Sequence, residues 1–437
     1  MGRKETIGVG LIGAGTVGGG VIRELNEHGE DQGLRIEAVL IDDPTKDREF
    51  PADYNYTTDK EEIFNKPDVD IVIELTGVRS AASEYADRAF ASEKDFITAN
   101  KELMAYEAKT KFASARKMGR NMGFEATVGG KIPIMAALRY FDGEDILSID
   151  GIPNGSTNYV FTRMFEDGLT YDEALQLAED RKLVEPNPDR DVQGLDARDK
   201  IIFLASLAWN TQFNPEEITP QGITGVTLDD MDIASWIGTM RRRKNRKRGP
   251  GYSIKPMVVA RKQDNEEIEV WVSPALVSND NPLSKVKNEQ NSLRINTRNG
   301  TPITIEGPGA GREATTSAVM ADLRRLADYR RRGIIEPLPT LDGGYRLLDP
   351  NKSKGKWYLR FSLKDVTGSI RRFGEVLERH DLSIQHSIQD EDPQSEDYKS
   401  DFVTFHPATR EQVIFASEEL DETGRVTGPR IVLPIVN

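Results

Sequence analysis

The chain has 437 residues, 37% hydrophobic and 30% charged, with a formal net charge of -14 at pH 7. It contains no cysteine and only four histidines, which excludes disulfides, thiolate metal sites and cysteine nucleophiles and leaves few ligands for a histidine zinc site. No run of about 18 apolar residues is present, the N-terminus lacks a secretory layout, and the acid excess disfavours nucleic acid, so the expectation is a soluble, cytoplasmic protein of two to four domains.

Residues 7–20 read IGVGLIGAGTVGGG. A strand Ile7–Ile12 runs into Gly13-x-Gly15-x-x-Gly18, with helical spacing from Val17 to Leu25. This is the strand, glycine turn and helix of a Rossmann dinucleotide-binding unit, with a purely structural glycine turn as the alternative. The helix start at Thr16 and Val17 offers N–H groups to a pyrophosphate. A second strand, 36–41, ends in Asp42, 24 residues past Gly18, where an acid binds the ribose hydroxyls. Asp42 and Asp43 oppose a 2′-phosphate and favour NAD over NADP; Lys46 and Arg48 just beyond carry the opposite charge.

VDIVIEL, 69–75, reads as a buried parallel strand followed by Thr76-Gly77, and 81–93 as a helix. A short strand at 96–98 ends in TANK, which puts Lys101 at the carboxyl end of a parallel sheet, where ligands bind. FEATVGGKIPI, 124–134, predicts another strand and a glycine-rich exit.

ILSIDGIPNGSTNYVFTR, 146–163, predicts a strand, a polar turn and a helix. Asn154-Gly155-Ser156-Thr157 suits a bound carboxylate or an ordinary helix cap. A helix over 170–181 begins with the capping-box pair Thr170 and Glu173. EPNPDRDVQGLDARDK, 185–200, then gathers five carboxylates; Pro186 and Pro188 keep its start out of helix, and a helix runs from Leu195. Asp196 and Lys200 are four apart on one helical face, which by spacing alone is an exposed salt bridge.

TANK, EATVGGKIPI, GIPNGSTNYVFTRM, EPNPDRDVQGLDARDK and GPGAGREATTSAVMADL (307–323) occur in the order and spacing of homoserine dehydrogenases. The chain resembles that family from about residue 5 to 335. The resemblance implies NAD(P)H-dependent reduction of L-aspartate 4-semialdehyde to L-homoserine. It implies Lys200 as proton donor, Lys101 beside the nicotinamide and carbonyl, and Glu185, Asp196 and Asp191 as substrate acids, with Asn154, Gly155 and Thr157 beside them. It implies a sodium ion on Glu125 and the backbone oxygens of Val128, Gly130 and Ile132, a return of Gly309 and Gly311 to the cofactor, and a place for Thr76 among the cofactor-binding residues. It also implies at least a homodimer. A cation near a developing alkoxide and carboxylates for an ammonium group fit that chemistry.

An arginine-lysine run at 241–248 looks inserted relative to the family and reads as an exposed loop or, less in keeping with the acidic chain, a nucleic-acid contact. Residues 336–356 read as a linker. Beyond it, Leu359, Phe361 and Leu363 alternate with Tyr358, Arg360 and Ser362, and an amphipathic helix carries Ile370, Phe373, Val376 and Leu377. A strand at 402–405, a helix near 409–420 and a strand at 431–436 complete β-α-β-β-α-β order. The segment resembles an ACT domain, which implies an amino-acid effector, although Asp365-Val366-Thr367-Gly368 lacks the usual proline; a module for oligomerisation alone is the alternative.

The expected architecture is α/β: a Rossmann domain over 1–133 completed by a helix at 312–333, an α+β substrate and dimerisation domain over 134–311, a linker at 334–356, and a ferredoxin-like ACT domain over 357–437. A Rossmann oxidoreductase for another small acid and a non-enzymatic nucleotide or amino-acid sensor are the rival readings.

Overall fold

The computed structural model describes residues 6–46, 48, 55–184, 188–237, 251–391 and 398–437. In chain order the first elements are β1 (Ile7–Ile12), α1 (Thr16–His28), β2 (Leu34–Leu40), β3 (Tyr56–Thr57), α2 (Glu61–Phe64), β4 (Ile71–Glu74), α3 (Arg79–Ala91), β5 (Asp95–Thr98), α4 (Lys101–Met118), β6 (Met122–Gly123) and α5 (Ile134–Tyr140). Then come β7 (Ile146–Ile152), α6 (Gly155–Asp167), α7 (Tyr171–Asp180), α8 (Asp189–Val192), α9 (Leu195–Ala208), α10 (Leu228–Ile237), β8 (Tyr252–Lys262), β9 (Glu267–Ser278), β10 (Gln290–Thr297), β11 (Ile303–Pro308) and α11 (Arg312–Arg332). The C-terminal elements are β12 (Arg346–Leu347), β13 (Lys354–Lys364), α12 (Ser369–Arg379), β14 (Ile384–Glu391), β15 (Tyr398–Phe405), β16 (Ala408–Thr409), α13 (Arg410–Glu422) and β17 (Val426–Val436). They form two compact units, one of Met1–Ile149, Asp199–Glu217 and Asn291–Tyr345, the other of Asp150–Arg198, Ile218–Gln290 and Arg346–Asn437.

The first unit holds a parallel sheet in the order β3-β2-β1-β4-β5-β6. Strand order reverses between β1 and β4, so the crevice for a ligand opens at their carboxyl ends. Val9, Leu11, Ile71 and Ile73 lie in continuous apolar runs because helices cover both faces. Val319, Leu323 and Leu326 of α11 join that core, and Thr316 Oγ1 donates to Val17 O of α1 at 3.4 Å. The strand expected within 124–134 lies earlier, at β6, and Glu125–Thr127 is a single 3₁₀ turn. The reason is a tertiary contact: the Glu125 N–H is taken by Asp322 Oδ2 of α11 at 2.8 Å instead of a strand ladder.

In the second unit β17, β13, β15 and β14 lie side by side in that order, all antiparallel. The end of β17 also pairs in parallel with β9, Ile435 with Leu276 and Val436 with Val277, and β9 forms a long hairpin with β8. Leu359, Phe361 and Leu363 bury against Phe373, Leu377, Val413 and Ala416 of α12 and α13. The opposite face is buried too: Tyr358, Phe402 and Leu433 share a core with Tyr159, Phe161, Val192 and Met231. Ile370, expected on the apolar face of α12, is 64% exposed. It stands in the first turn, and helical side chains lean toward the N-terminus, so it reaches past the helix end.

Candidate active site

The glycine turn after β1 has the backbone that a dinucleotide requires. Gly13 has φ +94°, and a Cβ on Gly18 would stand 2.0 Å from Gly13 O. Gly15 is the N-cap of α1 and supplies no side-chain acceptor, so the helix N-terminus presents its N–H groups and dipole at an exposed Thr16. Gly13, Gly15, Asp42 and Thr76 line one cavity of about 810 Å³ together with Lys46 and Arg48, a volume suited to a cofactor. Thr16, Val17 and Gly18 are the first residues of α1 and are not among the lining residues of the cavity. Lys101, Gly309 and Gly311 are not among its lining residues. Gly309 instead lies against the glycine-rich loop of 129–131: Lys131 N donates to Pro308 O at 3.2 Å, and a Cβ on Gly130 would meet Gly309 O at 2.7 Å.

Charge on the side of the cavity lined by Asp42, Lys46 and Arg48 is mixed. Arg48 Nη2 is 3.7 Å from Asp42 Oδ1, its guanidinium lies 5.7 Å from the Tyr56 ring centroid, and it also donates to Asp43 O at 2.6 Å. Hydrogen bonds from Thr45 hold the Asp43 carboxyl below its usual range.

Glu74, at the end of β4, is a residue that the sequence reading passed over as part of an apolar strand. It is fully buried. Its Oε1 accepts from Thr76 N and Thr76 Oγ1, both at 2.6 Å, and its Oε2 from Thr98 Oγ1 at 2.8 Å. Thr98 Oγ1 in turn accepts from Asn100 N at 2.9 Å, and Asn100 caps α4, whose first residue is Lys101. One carboxyl thus ties the cavity wall at Thr76 to the turn that carries Lys101. Burial pushes the Glu74 carboxyl up, against the lowering effect of its hydrogen bonds. The available signal was a lone acid two residues before a threonine at a strand end.

Glu125 accepts from Met135 N at 3.1 Å and Ala136 N at 3.2 Å on Oε1, and from Arg139 Nη2 at 3.0 Å on Oε2. It therefore caps α5, and three of roughly four acceptor directions of a carboxylate are used. With the carbonyls of the loop that follows, the donor set is hard oxygen, which fits an alkali cation. Among the described residues, no group of three or more histidines and carboxylates is gathered for a metal.

In the second unit the polar turn and the acidic stretch meet. Asn154 is the N-cap of α6, whose first residue is Gly155, and its Oδ1 accepts from Thr157 N at 3.0 Å and Thr157 Oγ1 at 2.9 Å. Asn154 Nδ2 reaches Asp191 Oδ1 and Asp196 Oδ2, each at 2.9 Å, and Ser156 Oγ donates to Asp191 Oδ2 at 2.9 Å. Cap and acid-holding roles therefore coincide in one side chain. Asp191 is half-buried. On α9, Asp196 is 3% exposed, and Lys200, which belongs to the first unit, is 7% exposed, so neither is a solvated surface group. Glu185 and the basic run at 241–248 lie outside the described residues.

A family model for homoserine dehydrogenase matches residues 133–323, and one for the homoserine dehydrogenase NAD-binding domain matches 13–125. The homoserine dehydrogenase of Bacillus subtilis is 31% identical over 397 residues, 88% of each chain, and that of Helicobacter pylori is 31% identical over 432 residues, 96% of each chain. The crystal structure of a homoserine dehydrogenase from Thiobacillus denitrificans superposes with a TM-score of 0.87 at 27% identity, covering 99% of this chain and 98% of that one. With a dinucleotide crevice, two carboxylates joined by one amide and these matches over most of its length, the chain belongs to the homoserine dehydrogenase family of NAD(P)-dependent oxidoreductases.

Proposed function

We propose that the chain interconverts L-homoserine and L-aspartate 4-semialdehyde with Lys200 as proton donor, in the biosynthesis of threonine, methionine and isoleucine. The nicotinamide cofactor carries the hydride. Lys200 holds a proton at Nζ, gives it to the aldehyde oxygen as the alcohol forms and takes it back in oxidation. Lys101 adds positive charge beside the same oxygen. Asp191 and Asp196, with Glu185, take the substrate ammonium, and Asn154, Gly155 and Thr157 border it. The observation that carries this reading is the pair Asp191 and Asp196 held on the one side-chain amide of Asn154.

Glu125 with the carbonyls of Val128, Gly130 and Ile132 would hold an alkali cation, sodium by family resemblance, to order the loop against Gly309 and Gly311. The antiparallel 4-1-3-2 strand order of the C-terminal module supports a ferredoxin-like ACT domain that takes an amino-acid effector, in a homodimer or larger homo-oligomer. The test is homoserine oxidation by the purified chain, with NAD and NADP in parallel, for wild type and Lys200→Ala. Wild-type turnover lost in the variant, with homoserine still bound, is the expected result. No wild-type turnover across salt and pH would overturn the reading.

A further inference from the structure

We propose that Arg360 and Tyr358 of the C-terminal module are positioning residues for the substrate acids, acting through the loop that precedes α10. The inference rests on the reading of Asp191 as a substrate acid.

The loop is gripped at both ends. At its C-terminal end Arg360 Nη2 donates to Gly225 O at 2.9 Å and Nη1 to Thr227 Oγ1 at 2.9 Å, while Nε stands 3.3 Å from Asp230 Oδ1. Tyr358 Oη donates to the same Oδ1 at 2.5 Å. Asp230 is fully buried, and its Oδ2 accepts from Thr227 N at 2.8 Å and Thr227 Oγ1 at 3.1 Å, which closes the first turn of α10. A planar guanidinium fork of this kind fixes orientation as well as charge.

At its other end the loop holds α8. Ile223 N donates to Val192 O at 2.9 Å, and Gly222 runs so close that a Cβ there would stand 2.7 Å from Val192 O. Val192 directly follows Asp191, whose two carboxyl oxygens are held by Asn154 and Ser156. Val192, Ile223, Val226 and Tyr358 also share one buried apolar cluster. Thr224 alone separates Ile223, held by α8, from Gly225, held by Arg360. A displacement of β13 is therefore passed to Asp191 across a packed, short segment. Both proposed residues lie outside the regions that the family models match, so this control of the substrate site belongs to the C-terminal module.

The experiment uses the full chain with Arg360→Gln and Tyr358→Phe, reading kcat, the KM for homoserine, the KM for cofactor and the melting temperature. The expected result is a homoserine KM raised roughly tenfold in Arg360→Gln and less in Tyr358→Phe, with cofactor KM and kcat at saturating homoserine within about twofold of wild type. Arg360→Lys, which keeps the charge without the fork, should fall between. An unchanged homoserine KM in folded Arg360→Gln overturns the inference, as does a parallel rise of both KM values. If Arg360→Gln does not fold, Tyr358→Phe decides by the same split, since it keeps the ring packing. A wild type that fails to turn homoserine over removes the functional reading beneath; an active wild type whose variants keep their KM removes only this inference.

Discussion

Asn154 Nδ2 stands 2.9 Å from Asp196 Oδ2, although 42 residues separate them in the chain. The same amide reaches Asp191, and its oxygen caps α6. Asn154→Ala should raise the homoserine KM by roughly tenfold or more, since a hydrogen bond to a charged group contributes about 1.5–3 kcal/mol. Loss of the cap should cost about 1 kcal/mol of stability. Steady-state kinetics and urea unfolding check both; an unchanged KM would separate the cap from the acids.

Lys200→Ala should lower kcat by roughly 10²- to 10⁴-fold, the range for a positioned general acid, while cofactor binding is retained. Cofactor titration by fluorescence alongside turnover distinguishes this from collapse of the first unit. A variant with near wild-type kcat would assign the proton to another group.

Glu74 gives a pH dependence of stability. Its folded pKa is raised from 4.5 by burial, so the folded state holds the proton more tightly than the unfolded chain. Stability from this group is full below the unfolded value and is lost as pH rises through the folded one. Glu74→Gln removes that titration, so the gap in melting temperature between wild type and variant should shift against wild type as pH rises above 4.5. A constant gap would show that Glu74 does not titrate there.

Lys255 acts with the opposite sign. Burial, then the like charge of Lys287, pushes it down to about 8 from 10.5, and its Nζ donates to Val286 O at 2.6 Å. Charge burial costs stability below the folded value, and the cost fades as pH rises from about 8 to 10.5. Lys255→Met should therefore stabilise the chain at neutral pH by on the order of 3 kcal/mol, with the advantage shrinking in alkaline buffer. Chemical unfolding at several pH values tests this; an advantage that persists at the alkaline end would contradict it.

Arg48 and Lys46 share the cavity with Asp42. Arg48→Ala should reduce kcat/KM with NADP roughly tenfold more than with NAD, because a guanidinium–phosphate bond is lost only with the former. Equal losses with both cofactors would place the 2′ position elsewhere.

Much of the first unit was legible because its signals are local. The run Ile7–Ile12, the turn at Gly13 and the acid at Asp42 lie within one short segment, and steric limits on the backbone act there directly. The capping box of Thr170 and Glu173 forms as read, for the same reason. Glu74 was missed because a single acid in VDIVIEL carries no periodic signal, and its partner Thr98 is 24 residues away.

By itself the sequence determined the family, the dinucleotide turn and the order of the C-terminal elements, since each depends on residue type, spacing or local hydrogen bonding. Tertiary structure decided what those elements do to one another. Tyr358 and Arg360 alternate with apolar residues and so read as a strand's polar face, yet that face is covered and meets Asp230, 128 residues away from Tyr358. The end of β17 pairs with β9, and Asn154 joins two acids on different helices. Such contacts follow from which surfaces the folded chain buries together, and a buried polar group must find its partner wherever packing brings one.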